Sequence, residues 1–169
     1  LTESGSSKPR IPDPASKGWT IYDLVSVAIG YSARVTPLQV ATFYNAIAND
    51  GKMMKPYVVE SIEHNGKVEK QFKPEILNGS ICSKATADTL TRALKMVTLE
   101  GTASKLKNAK CVVAGKTGTS RIHLTSEERQ GSKDPYSDKD GRKKHQATFV
   151  GFFPADEPQY TAIVVVYTD

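Results

Sequence analysis

The stretch Val112-Val113-Ala114-Gly115-Lys116-Thr117-Gly118-Thr119-Ser120 joins a short apolar run to a cation, two threonine hydroxyls and two glycines, and it reads as a β-strand with a functional edge. Side chains alternate along an extended segment, so Lys116 and Gly118 share one side while Thr117 and Thr119 share the other. Ammonium, hydroxyl and backbone N–H groups in one row are donors without a competing acid, a set that can hold a carboxylate. Gly118 has no Cβ, so a peptide ligand can lie against the strand and pair with it.

The same run can be compared with a phosphate-binding loop, because Gly115-Lys116-Thr117 has the ending of one. That match fails upstream, where the required first glycine is Lys110, and no long amphipathic helix follows Thr117. The terminal apolar run that closes on Asp169 is therefore not read as a metal-binding partner strand. No Gly-x-Ser-x-Gly elbow and no His-Glu-x-x-His occurs, and His64, His123 and His145 fall in turn or loop segments. No cofactor and no metal site is expected. Cys82 and Cys111 have neither clip nor redox spacing and are expected as buried thiols; sequence leaves their pairing open.

With 169 residues and 38% hydrophobic composition, the chain is long enough for one ordinary core and too short to promise two. The formal charge of +5 raises the question of nucleic acid. The basic residues are scattered, however, and the one cluster, residues 139–145, has no interleaved aromatic row, so no nucleic-acid partner is expected. No apolar run approaches the length of about 18 residues that marks a membrane span.

Working outward, residues 1–16 are rich in Ser, Pro and charge and are expected to be flexible. Residues 20–29 predict a short helix with Thr20 as N-cap, Asp23 three residues on, an apolar face of Ile21, Leu24, Val25 and Ala28, and Gly30 as the stop. Thr36-Pro37-Leu38-Gln39 is a capping box with proline at the first helical position, and Val40, Phe43, Tyr44 and Ile47 continue it at helical spacing. Residues 57–72 alternate as a hairpin around Asn65-Gly66. Residues 83–100 predict the longest helix, with Leu90, Leu94 and Val97 inward and Gly101 as its stop. Three β-rich runs follow at 111–120, 146–153 and 160–168, and the polar stretch 121–145 between the first two is expected to be a mobile loop. Helices followed by neighbouring strands predict an α+β fold, an antiparallel sheet packed with helices.

Taken together, these pieces resemble a known family. Gly30-Tyr31, Val35-Thr36-Pro37-Leu38-Gln39 and Ala46-Ile47-Ala48-Asn49-Asp50-Gly51-Lys52-Met53 stand in the order of the helix-and-turn segment of class B penicillin-binding proteins. Gly101-Thr102-Ala103, Ala114-Gly115-Lys116-Thr117-Gly118-Thr119 and Phe149-Val150-Gly151-Phe152-Phe153-Pro154-Ala155-Asp156 continue that order. Lys116-Thr117-Gly118 resembles one of the three motifs that such transpeptidases share with serine β-lactamases. The cell-division type is the more similar, with the elongation type as the alternative.

The resemblance implies an acyl-serine D,D-transpeptidase that cross-links peptidoglycan stem peptides and is acylated by β-lactams. It implies a partial β-lactamase/transpeptidase-like fold, with residues 1–169 as the C-terminal portion of the domain, lacking the N-terminal strands and the nucleophile helix. By the same resemblance, Thr117 and Thr119 hold the substrate carboxylate, Lys116 supplies charge and orients a Ser-x-Asn serine, Gly118 admits the substrate strand, and the Thr119 N–H is half of an oxyanion hole. The nucleophile is expected outside this chain. The one Ser-x-x-Lys match, Ser104-Lys105-Leu106-Lys107, follows a helix stop, has no apolar helix behind it and reads as a solvated connector; no Ser-x-Asn occurs. The alternative is a non-catalytic pseudo-transpeptidase, a binding module on the same sheet. The resemblance further implies an extracytoplasmic, membrane-anchored parent with division-protein partners. The segment alone is expected to be inactive and to self-associate through its last strand, which is apolar on both faces.

Overall fold

The computed structural model describes residues 9–168. Its elements run α1 (Ile21–Ala28), α2 (Pro37–Ala48), β1 (Met53–Met54), β2 (Ser61–His64), β3 (Lys67–Gln71), β4 (Ile76–Asn78), α3 (Lys84–Leu99), a 3-10 turn (Ser104–Leu106), β5 (Ala114–Arg121), α4 (Ser126–Arg129), β6 (His145–Phe153) and β7 (Tyr160–Thr168). The helix starts are where the capping residues put them. Thr36 and Gln39 form a reciprocal capping box, and the Ser83 hydroxyl accepts from the Thr86 N–H. At Thr20 the Asp23 carboxylate accepts from both the Thr20 N–H and the Thr20 hydroxyl. Each of these acceptors satisfies a backbone donor at a helix start.

The central sheet is β5-β6-β7, antiparallel throughout. Its register places Ala114 beside Phe152 and Phe152 beside Thr161; the next row with the same facing is Lys116, Val150 and Ile163. Ala114 and Phe152 are fully buried and form the core with Ile47 of α2 and Ala155 of the β6–β7 turn, with Ala48 and Leu94 packed against it. α2 and α3 thus cover one face of the sheet. Ion pairs of Lys95 with Asp156 and Lys84 with Asp50, both at 2.7 Å, tie α3 to the β6–β7 turn and to the end of α2.

The hairpin β2-β3 stands apart as its own two-stranded sheet, turning at Asn65 and Gly66, whose φ of 51° and 73° are the left-handed pair that a tight hairpin demands. The pairing of β1 with β4 was not legible in the sequence, since each is only two or three residues long.

Several expectations need correction. The apolar stripe of α1 buries nothing: Ile21, Leu24 and Val25 are all more than half exposed. Leu90 is exposed, and the buried positions of α3 are Ala87 and Thr98, with Leu94 and Val97 half-buried. The first β-run starts at Ala114 rather than at Cys111. Both cysteines are half-buried and free, not buried. In β7 the two faces differ: Ile163 and Val165 are half-buried, Val164 and Val166 exposed.

Of the stretch 1–16, residues 1–8 lie outside the described residues; in the remainder Arg10 bridges to Arg34 through two backbone hydrogen bonds of 2.9 and 2.8 Å. The stretch between β5 and β6 carries α4, a buried Leu124 whose N–H donates to the Pro135 carbonyl, and a turn at Asp134, whose carboxylate accepts from the Tyr136 N–H and the Ser137 hydroxyl.

Candidate functional site

Among the described residues β5 is paired on one side only, with β6. Near its ends Val112 and Ile122 exchange backbone bonds toward the β6 side, the Ala155 N–H donating to the Val112 carbonyl at 2.8 Å and the Ile122 N–H to the Lys144 carbonyl at 2.9 Å. Odd-numbered neighbours point the other way: the Val113 carbonyl accepts from the Thr98 hydroxyl, and the Arg121 N–H donates to the Tyr31 hydroxyl at 3.4 Å. Main-chain groups alternate sides along an antiparallel strand, so the N–H and C=O of Thr117 and Thr119 point out from the free edge. The sheet therefore presents at Thr119 an open backbone donor and acceptor with no partner among the described residues.

The side chains the sequence singled out gather along this edge. Lys116, Gly118 and Thr119 are exposed and Thr117 is half-buried. The Lys116 ammonium folds back to donate to the Thr117 carbonyl at 2.9 Å, which carries its charge to the edge from the face that it shares with Ala114. No atom lies within 4 Å of where a Cβ on Gly118 would stand, so the strand is open there. Gly115 is the opposite case: a Cβ on it would meet the Phe149 ring at 2.5 Å and the Val150 carbonyl oxygen at 2.7 Å. Only glycine lets that aromatic ring close over the start of the strand.

Two residues at this edge were given no role by sequence reasoning. Thr102, in the turn that follows α3, has its hydroxyl 2.7 Å from the Thr117 hydroxyl. Tyr31, in the loop after α1, closes the far end through Arg121. The signal for both was present, as the Gly101-Thr102-Ala103 and Gly30-Tyr31 pieces, but the sequence alone did not say that they meet β5. Ser104 lies on the exposed 3-10 turn with no helix of its own. Among the described residues no group of His, Cys, Asp and Glu side chains could hold a metal.

The chain thus presents an antiparallel sheet with helices on one face and a cationic, hydroxyl-rich open edge. The family model of the penicillin-binding protein transpeptidase domain matches residues 5–169, and the chain belongs to that family. It is 33% identical over 90% of its length to penicillin-binding protein H of Bacillus subtilis, of which it covers 21%. It is 28% identical over 88% of its length to the peptidoglycan D,D-transpeptidase FtsI homolog of Mesostigma viride, covering 25% of it. Among solved structures, penicillin-binding protein 3 of Mycobacterium tuberculosis superposes with a TM-score of 0.75 at 24% identity, over 96% of this chain and 35% of that one, which speaks for the fold. The D,D-transpeptidase domain of a peptidoglycan glycosyltransferase from Eggerthella lenta matches at 28% identity with a TM-score of 0.63, over 95% of this chain and 32% of that one. These findings bear out the resemblance to class B penicillin-binding proteins and the α+β transpeptidase-like fold. The chain spans about a fifth to a quarter of the length of these two curated relatives (21% and 25%).

Proposed function

We propose that this chain is the carboxylate-binding wall of an acyl-serine D,D-transpeptidase that cross-links peptidoglycan stem peptides and is acylated by β-lactams. The observation that carries the reading is the open edge at Thr119, an unpaired N–H flanked by the Thr117 and Thr119 hydroxyls and the Lys116 ammonium. A tetrahedral intermediate places negative charge on the former carbonyl oxygen, and a preorganised N–H aimed at that oxygen stabilises it. The Thr119 N–H is half of such a hole, and the N–H of a serine nucleophile outside this chain is the other half. The two hydroxyls bind the ligand carboxylate, while Lys116 supplies the field and orients the serine of a Ser-x-Asn motif. Gly118 leaves the substrate strand room to approach.

Penicillin-binding protein A of Mycobacterium tuberculosis, which shares the fold, forms a penicillin G acyl-enzyme complex. On the same reading, the full-length protein works outside the cytoplasm, anchored in the membrane and with cell-division proteins as partners. Residues 1–169 alone carry no acylating serine and are inactive.

The deciding experiment is acylation of the full-length protein by a fluorescent penicillin. Lys116→Ala should slow acylation by about 2–4 kcal/mol of transition-state stabilisation without unfolding the sheet, and acylation at the unsubstituted rate would remove the assigned role. A labelled band from residues 1–169 alone, lost on Ser104→Ala, would overturn the placement of the nucleophile. No acylation of the full-length protein at all would favour the non-catalytic binding module. The isolated segment also self-associates through β7, which among the described residues pairs only with β6 and leaves Val164 and Val166 exposed. Light scattering over a concentration series tests this, and a monomer throughout would refute it.

A further inference from the structure

We infer that Thr102 is a positioning residue that sets the direction of the Thr117 hydroxyl hydrogen bond, so that Thr117 presents its single proton to a ligand carboxylate. The inference rests on the reading of β5 as the carboxylate-binding strand.

The end of α3 and the turn after it are tied to the β5 segment at two levels, four residues apart in each stretch. At the first, the buried Thr98 hydroxyl meets the carbonyls of Lys95 and Val113. This is a link to main chain in the interior, and it holds the helix to the strand. At the second, the Thr102 and Thr117 hydroxyls lie 2.7 Å apart, and Thr102 is exposed. A hydroxyl pair at the surface adds little to stability, because water replaces it at small net cost. Its consequence falls on Thr117.

The turn that aims Thr102 is closely defined. The Gly101 N–H donates to the Met96 carbonyl at 2.9 Å and the Ala103 N–H to the Val97 carbonyl at 3.0 Å. A Cβ on Gly101 would stand 2.9 Å from the Val97 Cα, and Ala103 is 8% exposed. Thr102 is thus held between a glycine that must remain small and an alanine that must remain buried.

A hydroxyl has one proton and two lone pairs. If Thr117 gives its proton to Thr102, it can only accept and would turn a lone pair toward an arriving anion. If Thr102 is the donor, the Thr117 proton is free, and accepting one hydrogen bond strengthens the one it donates. An anionic ligand selects the second arrangement, with Thr102 as the donor. No other side chain among the described residues is hydrogen-bonded to the Thr117 hydroxyl.

The test compares acylation of the full-length protein by a β-lactam with a free carboxylate and by its methyl ester, in unsubstituted, Thr102→Val and Thr102→Ser forms. Thr102→Val should lower the preference for the free acid over the ester by about three- to tenfold, the share of one hydrogen bond, with the melting temperature unchanged. Thr102→Ser should restore that preference. A merely structural role would slow both ligands alike and lower the melting temperature, and that result overturns the inference. So does an unchanged preference in Thr102→Val. If the unsubstituted protein does not prefer the acid, or is not acylated, the reading of β5 fails and the inference with it; a preference that survives Thr102→Val sinks the inference alone.

Discussion

α1 and β6 are both apolar segments with the spacing that burial requires, yet only β6 is buried. In β6, Val150 and Phe152 are 4% and 0% exposed, covered by α2 and α3. In α1, Ile21, Tyr22 and Leu24 are 67%, 80% and 52% exposed, and no residue of the helix is buried. Periodicity thus records which face of an element is meant for a partner. It does not record whether the partner lies within the same stretch of chain.

The largest test of this contrast is truncation of a side chain in each region. Phe152→Ala should cost about 3–5 kcal/mol, the loss of a large core side chain plus the cavity it leaves. Leu24→Ala should stay within about 0.5 kcal/mol, as for a surface position. Denaturant titration reads both, and a comparable loss at Leu24 would mean that α1 has a covering partner within the chain.

A smaller difference separates two glycines three residues apart on β5. Gly115→Ala should destabilise by about 1–3 kcal/mol, because the methyl meets the Phe149 ring and the Val150 carbonyl in a packed region. Gly118→Ala has open space and should leave the melting temperature nearly unchanged while obstructing ligand approach in the full-length protein. Equal destabilisation of the two would show that the strand is not open at Gly118.

Helix caps sharpen the comparison further. Thr36→Ala removes the acceptor for the Gln39 N–H, 3.2 Å away, from a twelve-residue helix that packs on the core, and should cost about 1 kcal/mol. Thr125→Ala removes the equivalent bond to the Glu128 N–H from a four-residue helix with no buried residue, and should cost less. A larger loss at Thr125 would make the 122–144 stretch part of the cooperative core.

The smallest expected effect is a pH dependence confined to that stretch. The Glu128 carboxylate is held below its ordinary pKa by the Thr125 N–H, by Lys144 and by the Thr125 hydroxyl. A depressed folded-state pKa contributes stability above the unfolded carboxylate value, and that contribution is lost as pH falls through the folded value. Protection of the Thr125 amide, its exchange measured against the intrinsic rate at each pH, should therefore fall on acidification, and Glu128→Gln should flatten that dependence. Protection that is equally pH-independent in both proteins would remove the carboxylate's role.

Much of the molecule was legible because its causes are local. A capping threonine followed three residues on by Asp or Gln, an Asn-Gly turn, or a run of β-branched residues acts within a few positions of itself. Helix starts, the hairpin and the three main strands therefore followed from the sequence, as did the family, through the order of its short motifs. The Lys116 to Thr119 row was legible for the same reason. Its relation to the rest of the chain was not. Thr102 meets Thr117 across 15 residues and Tyr31 meets Arg121 across 90, and no periodicity encodes which hydroxyl reaches which donor. Leu90 carries the helical spacing of a core residue and is exposed, while Thr98 is polar and buried because its one proton has a carbonyl acceptor within reach, Val113 or Lys95. Sequence by itself determined which segments are helix and strand and which edge bears the cation and hydroxyls, since these depend on side-chain chemistry and backbone preference. Tertiary structure alone decided which apolar faces are covered and which hydroxyls are paired, because burial and hydrogen bonding depend on segments distant in the chain arriving at one place.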